Sequence, residues 1–214
     1  MPQNITNLKI LNNHLDELIV LEPRLLEARQ KSGDVPLRLR KGGFEGMSSI
    51  ITAQLLSVAS ANAIFARLEN LLGEVSAKEY LKYSEQDICS CGFSKSKFNT
   101  MSNIAKAELS GQLDYSELEN MPIDLAMKQL TALKGIGVWS AEIYLLFCVG
   151  HGDIFPAGDL VLQKMLAHIF ELDEKPNEKQ TRLMSEKWSP YRGAGARLLW
   201  RYFAVLKNKE GIKI

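Results

Sequence analysis

Cysteine is scarce in this chain: Cys89, Cys91 and Cys148 are the only three among 214 residues. An odd count of this kind builds neither a disulfide framework nor a four-ligand zinc or iron–sulfur site, so no metal is expected on side chains. The three histidines, His14, His151 and His168, stand at no spacing that suits a metal or a catalytic triad. Long apolar runs are missing too. The longest, residues 143–149, is far shorter than the roughly 20 residues that span a bilayer. No charged-then-apolar leader opens the sequence, so a soluble, cytoplasmic protein is expected. An excess of one charge is also absent: 26 Lys and Arg against 25 Asp and Glu leave a net +1, which by itself gives no hint of nucleic acid. No segment shows sustained strand-like alternation.

What is present is helical. Apolar residues make up 46% of the chain, enough for a sizeable core, and they recur at helical spacing, as in Leu8, Leu11, Leu15, Leu18 and Ile19. The expected class is all-α, with about ten helices. Pro23 and Pro122 suit first turns, while Ser76 with Glu79 and Asn177 with Gln180 have capping-box spacing. Breaks at Gly42–Gly43 and in the Gly/Pro-rich residues 150–158 divide the chain into two helical lobes. The expected central lobe is residues 43–149; the second combines 1–42 with 150–214, and a cleft lies between them. Basic residues gather at Arg38, Arg40 and Lys41, at Lys95 and Lys97, and at Arg192, Arg197 and Arg201. Taken singly, each reads as a solvated helix face, and the acidic residues 171–178 read as an exposed connection.

Residues 123–149 contain the most specific pattern: an apolar helix, the turn Lys134-Gly135-Ile136-Gly137, and a second apolar helix opening Trp139-Ser140-Ala141. This is a helix–hairpin–helix. Gly135 and Gly137 permit positive φ and close backbone approach, and the amides that open the second helix point outward with its dipole behind them, a site for a DNA phosphate. A lone Gly-x-Gly would still read as an ordinary tight turn; the longer stretch is more specific.

With these residues the chain resembles the helix–hairpin–helix glycosylase superfamily, specifically its 3-methyladenine DNA glycosylase II branch. Three further blocks carry the resemblance in order: Gln54-Leu55-Leu56-Ser57, Phe155-Pro156-Ala157-Gly158-Asp159, and Trp188 to Arg192 running on to Trp200. The family's larger bacterial members add an N-terminal β-rich domain, for which 214 residues leave no room, an absence expected to affect substrate range rather than the catalytic core.

The resemblance implies a monofunctional glycosylase that flips alkylated purines, such as 3-methyladenine and 7-methylguanine, out of duplex DNA and cuts their glycosidic bond in base excision repair. Asp159 falls at the family's catalytic aspartate, although on its own it reads as a plain helix N-cap; Asp153 lacks that alignment and reads as a solvated loop residue. The chemistry needs an ionised carboxylate, because the departing base leaves oxocarbenium character on the sugar, and a cationic alkylpurine departs without a general acid. Trp139 can stack on an electron-poor base, and it occupies the column of the Schiff-base lysine of bifunctional relatives, which implies no lyase activity. Trp200, Ile143 and Tyr191 complete the implied base pocket, with Tyr191 and Arg192 expected on the helix of Trp200. The family's aromatic position falls at Ile143, so Tyr144 one residue later points about 100° away. Gln54, Leu55 and Ser57 are implied DNA contacts, Leu55 as an apolar wedge in the gap left by the flipped nucleotide; as isolated residues Gln54 and Leu55 read as helix surface and core. Lys134, Gly135, Gly137 and Arg192 complete the DNA contacts. The partner is double-stranded DNA with damaged bases, bound by a monomer without membrane or organic cofactor; backbone carbonyls of the hairpin are implied to hold a monovalent cation. Rival readings are a glycosylase of the same superfamily for mispaired or oxidised bases, a hairpin module that binds DNA without catalysis, and a helical scaffold.

Overall fold

The structure is a computed structural model that describes residues 3–210. Residues 1, 2 and 211–214, which the sequence reading placed in the second lobe, lie outside the described residues. Among the described residues there are twelve α-helices and no strand. They are α1 (Leu8–Leu21), α2 (Leu26–Ser32), α3 (Gly43–Ala53), α4 (Val58–Leu72), α5 (Ala77–Tyr80), α6 (Glu85–Ser90), α7 (Lys95–Leu109), α8 (Ile123–Thr131), α9 (Val138–Tyr144), α10 (Leu160–Ile169), α11 (Glu178–Glu186) and α12 (Arg192–Glu210). α9 runs on into a π-helical turn, Leu145–Val149. No helix of the described residues is long and apolar enough to cross a membrane.

Local chemistry starts these helices. Asn7 caps α1, Ser57 α4, Ser94 α7 and Asp159 α10, each accepting a bond from a backbone amide of the first turn. Asn177 and Gln180 form the expected reciprocal capping box. Ser76 caps α5, but the Glu79 carboxylate turns to Lys82 instead of closing the box. Ser84 and Asp87 form a second complete box at α6.

The helices form two compact units among the described residues, Arg40–Tyr144 and the discontinuous pair of chain segments on either side of it. In the first, α3 packs on α4, α7 and α9, α8 on α9, and α5 and α6 on α7. Phe44, Met47, Ile50 and Ile51 of α3 recur at helical spacing and fill this core. In the second, α12 packs on α1, α2 and α10, with α11 beside α10. The second boundary falls before Leu145 rather than after residue 149, because the π turn bonds into the discontinuous unit. Leu145 C=O accepts from His151 N (2.9 Å), and Leu146 C=O accepts from the buried Arg197 guanidinium (2.7 Å).

Three expectations change here. Residues 152–157 are a buried loop rather than an open break, and Asp153 is not solvated: it holds Arg192 in a bidentate pair (2.6 and 2.9 Å) and accepts from Ser189 (2.8 Å). Burial pushes the Asp153 carboxyl up, but the Arg192 and Ser189 hydrogen bonds outweigh it and bring it below its ordinary range. Nor is the basic cluster at 192–201 a solvated face, since Arg197 also reaches Leu37 C=O (3.1 Å) and Arg201 reaches Ser32 C=O (3.0 Å).

Candidate active site

The hairpin lies within Arg40–Tyr144. α8 ends at Thr131, Ile136 N donates to Leu133 C=O (3.0 Å), and Ala141 N donates to Gly137 C=O (3.1 Å) as α9 begins. The two glycines have different reasons to be glycine. Gly135 sits at φ +100°, and a Cβ there would lie 2.0 Å from Thr100 Oγ1 of α7, so the turn cannot form with a side chain. Gly137 does not take the positive φ that the sequence allows, and a Cβ on it would meet nothing within 4 Å. Its lack of a side chain therefore answers no internal demand; it leaves the exposed start of α9 open to a partner. Helix geometry gives the first amides of α9 no intrahelical acceptor, and Gly137 and Val138 are both exposed. Lys134 is exposed beside them, lining a groove with Lys95, Asn99 and Asn103 of α7.

The α3–α4 loop of the same unit carries the expected wedge. Leu55 is not core: it is 105% exposed and held at φ 58°, a left-handed conformation that costs a residue with a side chain roughly 1–2 kcal/mol. An aliphatic side chain pushed wholly into water on a strained backbone gains nothing for folding. Its neighbours are committed. The Gln54 amide donates to Ser140 Oγ of α9 (2.8 Å), and Ser57 caps α4 by accepting from Ser60 N (3.2 Å). Trp139, in the first turn of α9, is half-buried, whereas Ile143 and Tyr144 are buried. The Tyr144 hydroxyl accepts from Gly43 N (2.8 Å).

Asp159 belongs to the discontinuous unit. As the N-cap of α10 it is half-buried, and its Oδ1 accepts from Val161 N (2.9 Å), Leu162 N (3.0 Å) and the Trp200 indole (3.2 Å). Capping and placement of a charge are thus the same act: the helix start and the indole hold the carboxylate in one orientation. The Trp200 ring stacks, tilted, on Phe147 of the π turn at 5.5 Å between centroids.

Two expected site residues have partners elsewhere in their own unit. Tyr191 precedes α12 and packs edge-on against His14 of α1 at 5.1 Å; its distance in sequence from Trp200 amounts to about two and a half turns along α12. The Arg192 guanidinium is held by Asp153 through Nε and Nη2. Conversely, the sequence reading missed Phe147, which only the apolar run 143–149 hinted at, and Lys97, whose ammonium donates to Thr52 C=O (2.8 Å) and Gln54 C=O (2.9 Å). No spacing rule links Lys97 to carbonyls so distant in sequence.

Comparison with known proteins bears on both units. Residues 47–190 match the model of the HhH-GPD superfamily of base excision DNA repair proteins. The chain is 31% identical over 163 residues to the alkylbase DNA glycosidase-like protein mag2 of Schizosaccharomyces pombe, covering 74% of this chain and 76% of that protein. It is 30% identical over 166 residues to DNA-3-methyladenine glycosylase 1 of the same yeast, covering 76% and 73%. Among solved structures, the S. pombe 3-methyladenine DNA glycosylase in complex with abasic DNA superposes with a TM-score of 0.84 at 26% identity, over 94% of this chain and 100% of the other.

Proposed function

Since the chain belongs to the HhH-GPD superfamily of base excision DNA repair proteins, we propose that it is a monofunctional DNA glycosylase that releases alkylated purines from duplex DNA, acting as a monomer. The observation that carries this reading is the fixed Asp159 carboxylate, with Oδ1 held by two α10 amides and the Trp200 indole. A carboxylate oriented before the reaction stabilises positive charge as it develops on the sugar, with no reorganisation at the moment of bond breaking. An N3- or N7-alkylated purine is already cationic, so it leaves as a neutral base with no proton to be supplied. One essential carboxylate is enough, and water then completes the hydrolysis.

The other unit supplies the hold on DNA. The exposed amides at the start of α9, with the helix dipole behind them, bind a backbone phosphate, and Lys134 adds a charge nearby. Leu55 enters the base stack where the damaged nucleotide leaves it, which lowers the cost of keeping that nucleotide outside. The aromatic faces of Trp139 and Trp200 favour an electron-poor base. Residues 133–137 offer neutral backbone carbonyls and no carboxylate side chain, a donor set that suits a singly charged cation; when bound, the ion would add positive charge beside the phosphate. Trp139 offers no amine, so no Schiff base forms and the product is an intact abasic site.

The test is to incubate the protein with duplex DNA treated with a methylating agent, identify free bases by chromatography, and measure strand nicking separately with and without alkali. Release of methylated purines, with strand breaks only after alkali, is the expected result. No released base overturns the glycosylase reading, and a protein–DNA adduct trapped by borohydride overturns the monofunctional one.

A further inference from the structure

Leu55 presents a problem of mechanics that its exposure alone does not solve. A wedge must resist being pushed back by the base stack, yet this side chain has no packing of its own and its backbone is in a left-handed state that the free chain disfavours. Something outside the loop must hold it. The α3 terminus is where the loop begins, and the last carbonyls of a helix lack intrahelical donors. Lys97, in the first turn of α7, fills that need with one ammonium group on the carbonyls of Thr52 and Gln54, the second of which belongs to the residue immediately before Leu55. On its other side the Gln54 side chain is tied to Ser140 of α9. The residue that precedes the wedge is therefore gripped from two helices, and one of them is the second helix of the hairpin.

We propose that Lys97 is the positioning residue of the wedge: by holding the carbonyls of Thr52 and Gln54 it fixes the left-handed turn at Leu55 and keeps that side chain outside the fold. This rests on the glycosylase reading above, in which Leu55 fills the gap left by the flipped nucleotide. Lys97 is half-buried, and burial draws its ammonium below the ordinary lysine range. The ammonium thus spends its charge on these carbonyls rather than on solvent. Lysine suits the task because its compact ammonium carries three donors.

The inference makes Lys97 matter only where bases must be unstacked. Methylated DNA tested as duplex and after conversion to single strands separates the cases, since a lesion in single-stranded DNA needs no wedge. Lys97→Met should lower the ratio of duplex to single-strand base release by roughly ten- to hundredfold, the range for loss of hydrogen bonds to a charged group, and Lys97→Arg should restore part of it. In a Leu55→Ala background, Lys97→Met should lower that ratio no further, because two residues acting through one element are not additive. Equal losses on both substrates, in parallel with a fall in melting temperature, would make Lys97 a plain helix-terminus contact. Additive losses in the double variant would likewise overturn the wedge role. Failure of the wild-type protein to release base from either substrate would instead strike the glycosylase reading itself.

Discussion

At the scale of single residues, the chemistry is concentrated in groups that have a structural task as well. Asp159 caps α10 with the same oxygen that Trp200 holds, so removing the side chain would confuse loss of a cap with loss of a charge. Asp159→Asn separates them, because asparagine caps helices about as well as aspartate and its Oδ1 can accept the same three bonds. The melting temperature should hardly move, while base release falls by roughly a hundredfold or more, the usual consequence of deleting one preorganised electrostatic contact. Affinity for damaged duplex should be kept. Full activity in single-turnover base release would remove Asp159 from the mechanism. The basic residues teach the opposite lesson. Arg192 is the contact the resemblance implies for DNA, and Arg197 and Lys97 read in sequence as solvated helix faces, but each is engaged by a carboxylate or by carbonyls inside its own unit. Burial brings Arg197 down to about 10 without removing its charge at neutral pH.

At the scale of elements, the hairpin offers a clean division between folding and function. Gly135→Ala forces a Cβ against Thr100 at a φ that alanine resists, and the protein should melt at lower temperature. Gly137→Ala meets open space without a positive φ, so stability should hold or rise slightly. The added methyl nevertheless stands where a phosphate must approach the α9 amides, and affinity for an abasic-site duplex should fall about tenfold, equivalent to roughly 1.4 kcal/mol. Fluorescence anisotropy against a salt series reads this, with wild-type binding weakening steadily as salt rises. Unchanged affinity in Gly137→Ala would place the phosphate elsewhere. The π turn after α9 is a second such element: its carbonyls leave the α-helical ladder and find Arg197 and His151, which commits this stretch to the discontinuous unit.

At the scale of the whole molecule, the discontinuous unit is closed by bonds between its two chain segments. Ile5 N donates to Gly150 C=O (2.6 Å), Arg197 holds Leu37 C=O, and the buried Glu22 carboxylate takes both Arg24 and Lys187. Burial alone would raise the pKa of Glu22, but the bonds from Arg24 and Lys187 prevail and bring it to about 2 from 4.5. A carboxylate with a depressed folded pKa adds stability that is fully present above its unfolded value and is lost as pH falls toward its folded one. The melting-temperature gap between wild type and Glu22→Gln should therefore be widest above about pH 5 and close between pH 4.5 and 2; a gap independent of pH would mean that the pair contributes packing and not charge. Helices, the caps at Ser76, Asn177 and Asp159, the hairpin and the aspartate segment were all legible in the sequence, because each depends on residues a few positions apart: a helical period, a cap and its third amide, a glycine turn. Whatever depends on partners distant in the chain was decided only by tertiary structure. Packing alone buried Asp153 with Arg192, turned Tyr191 toward His14, held Leu55 outside through Lys97, and made Gly135 a matter of Thr100 while Gly137 stayed open. Spacing rules reach about one helical turn, whereas these contacts join positions that only the folded chain brings together.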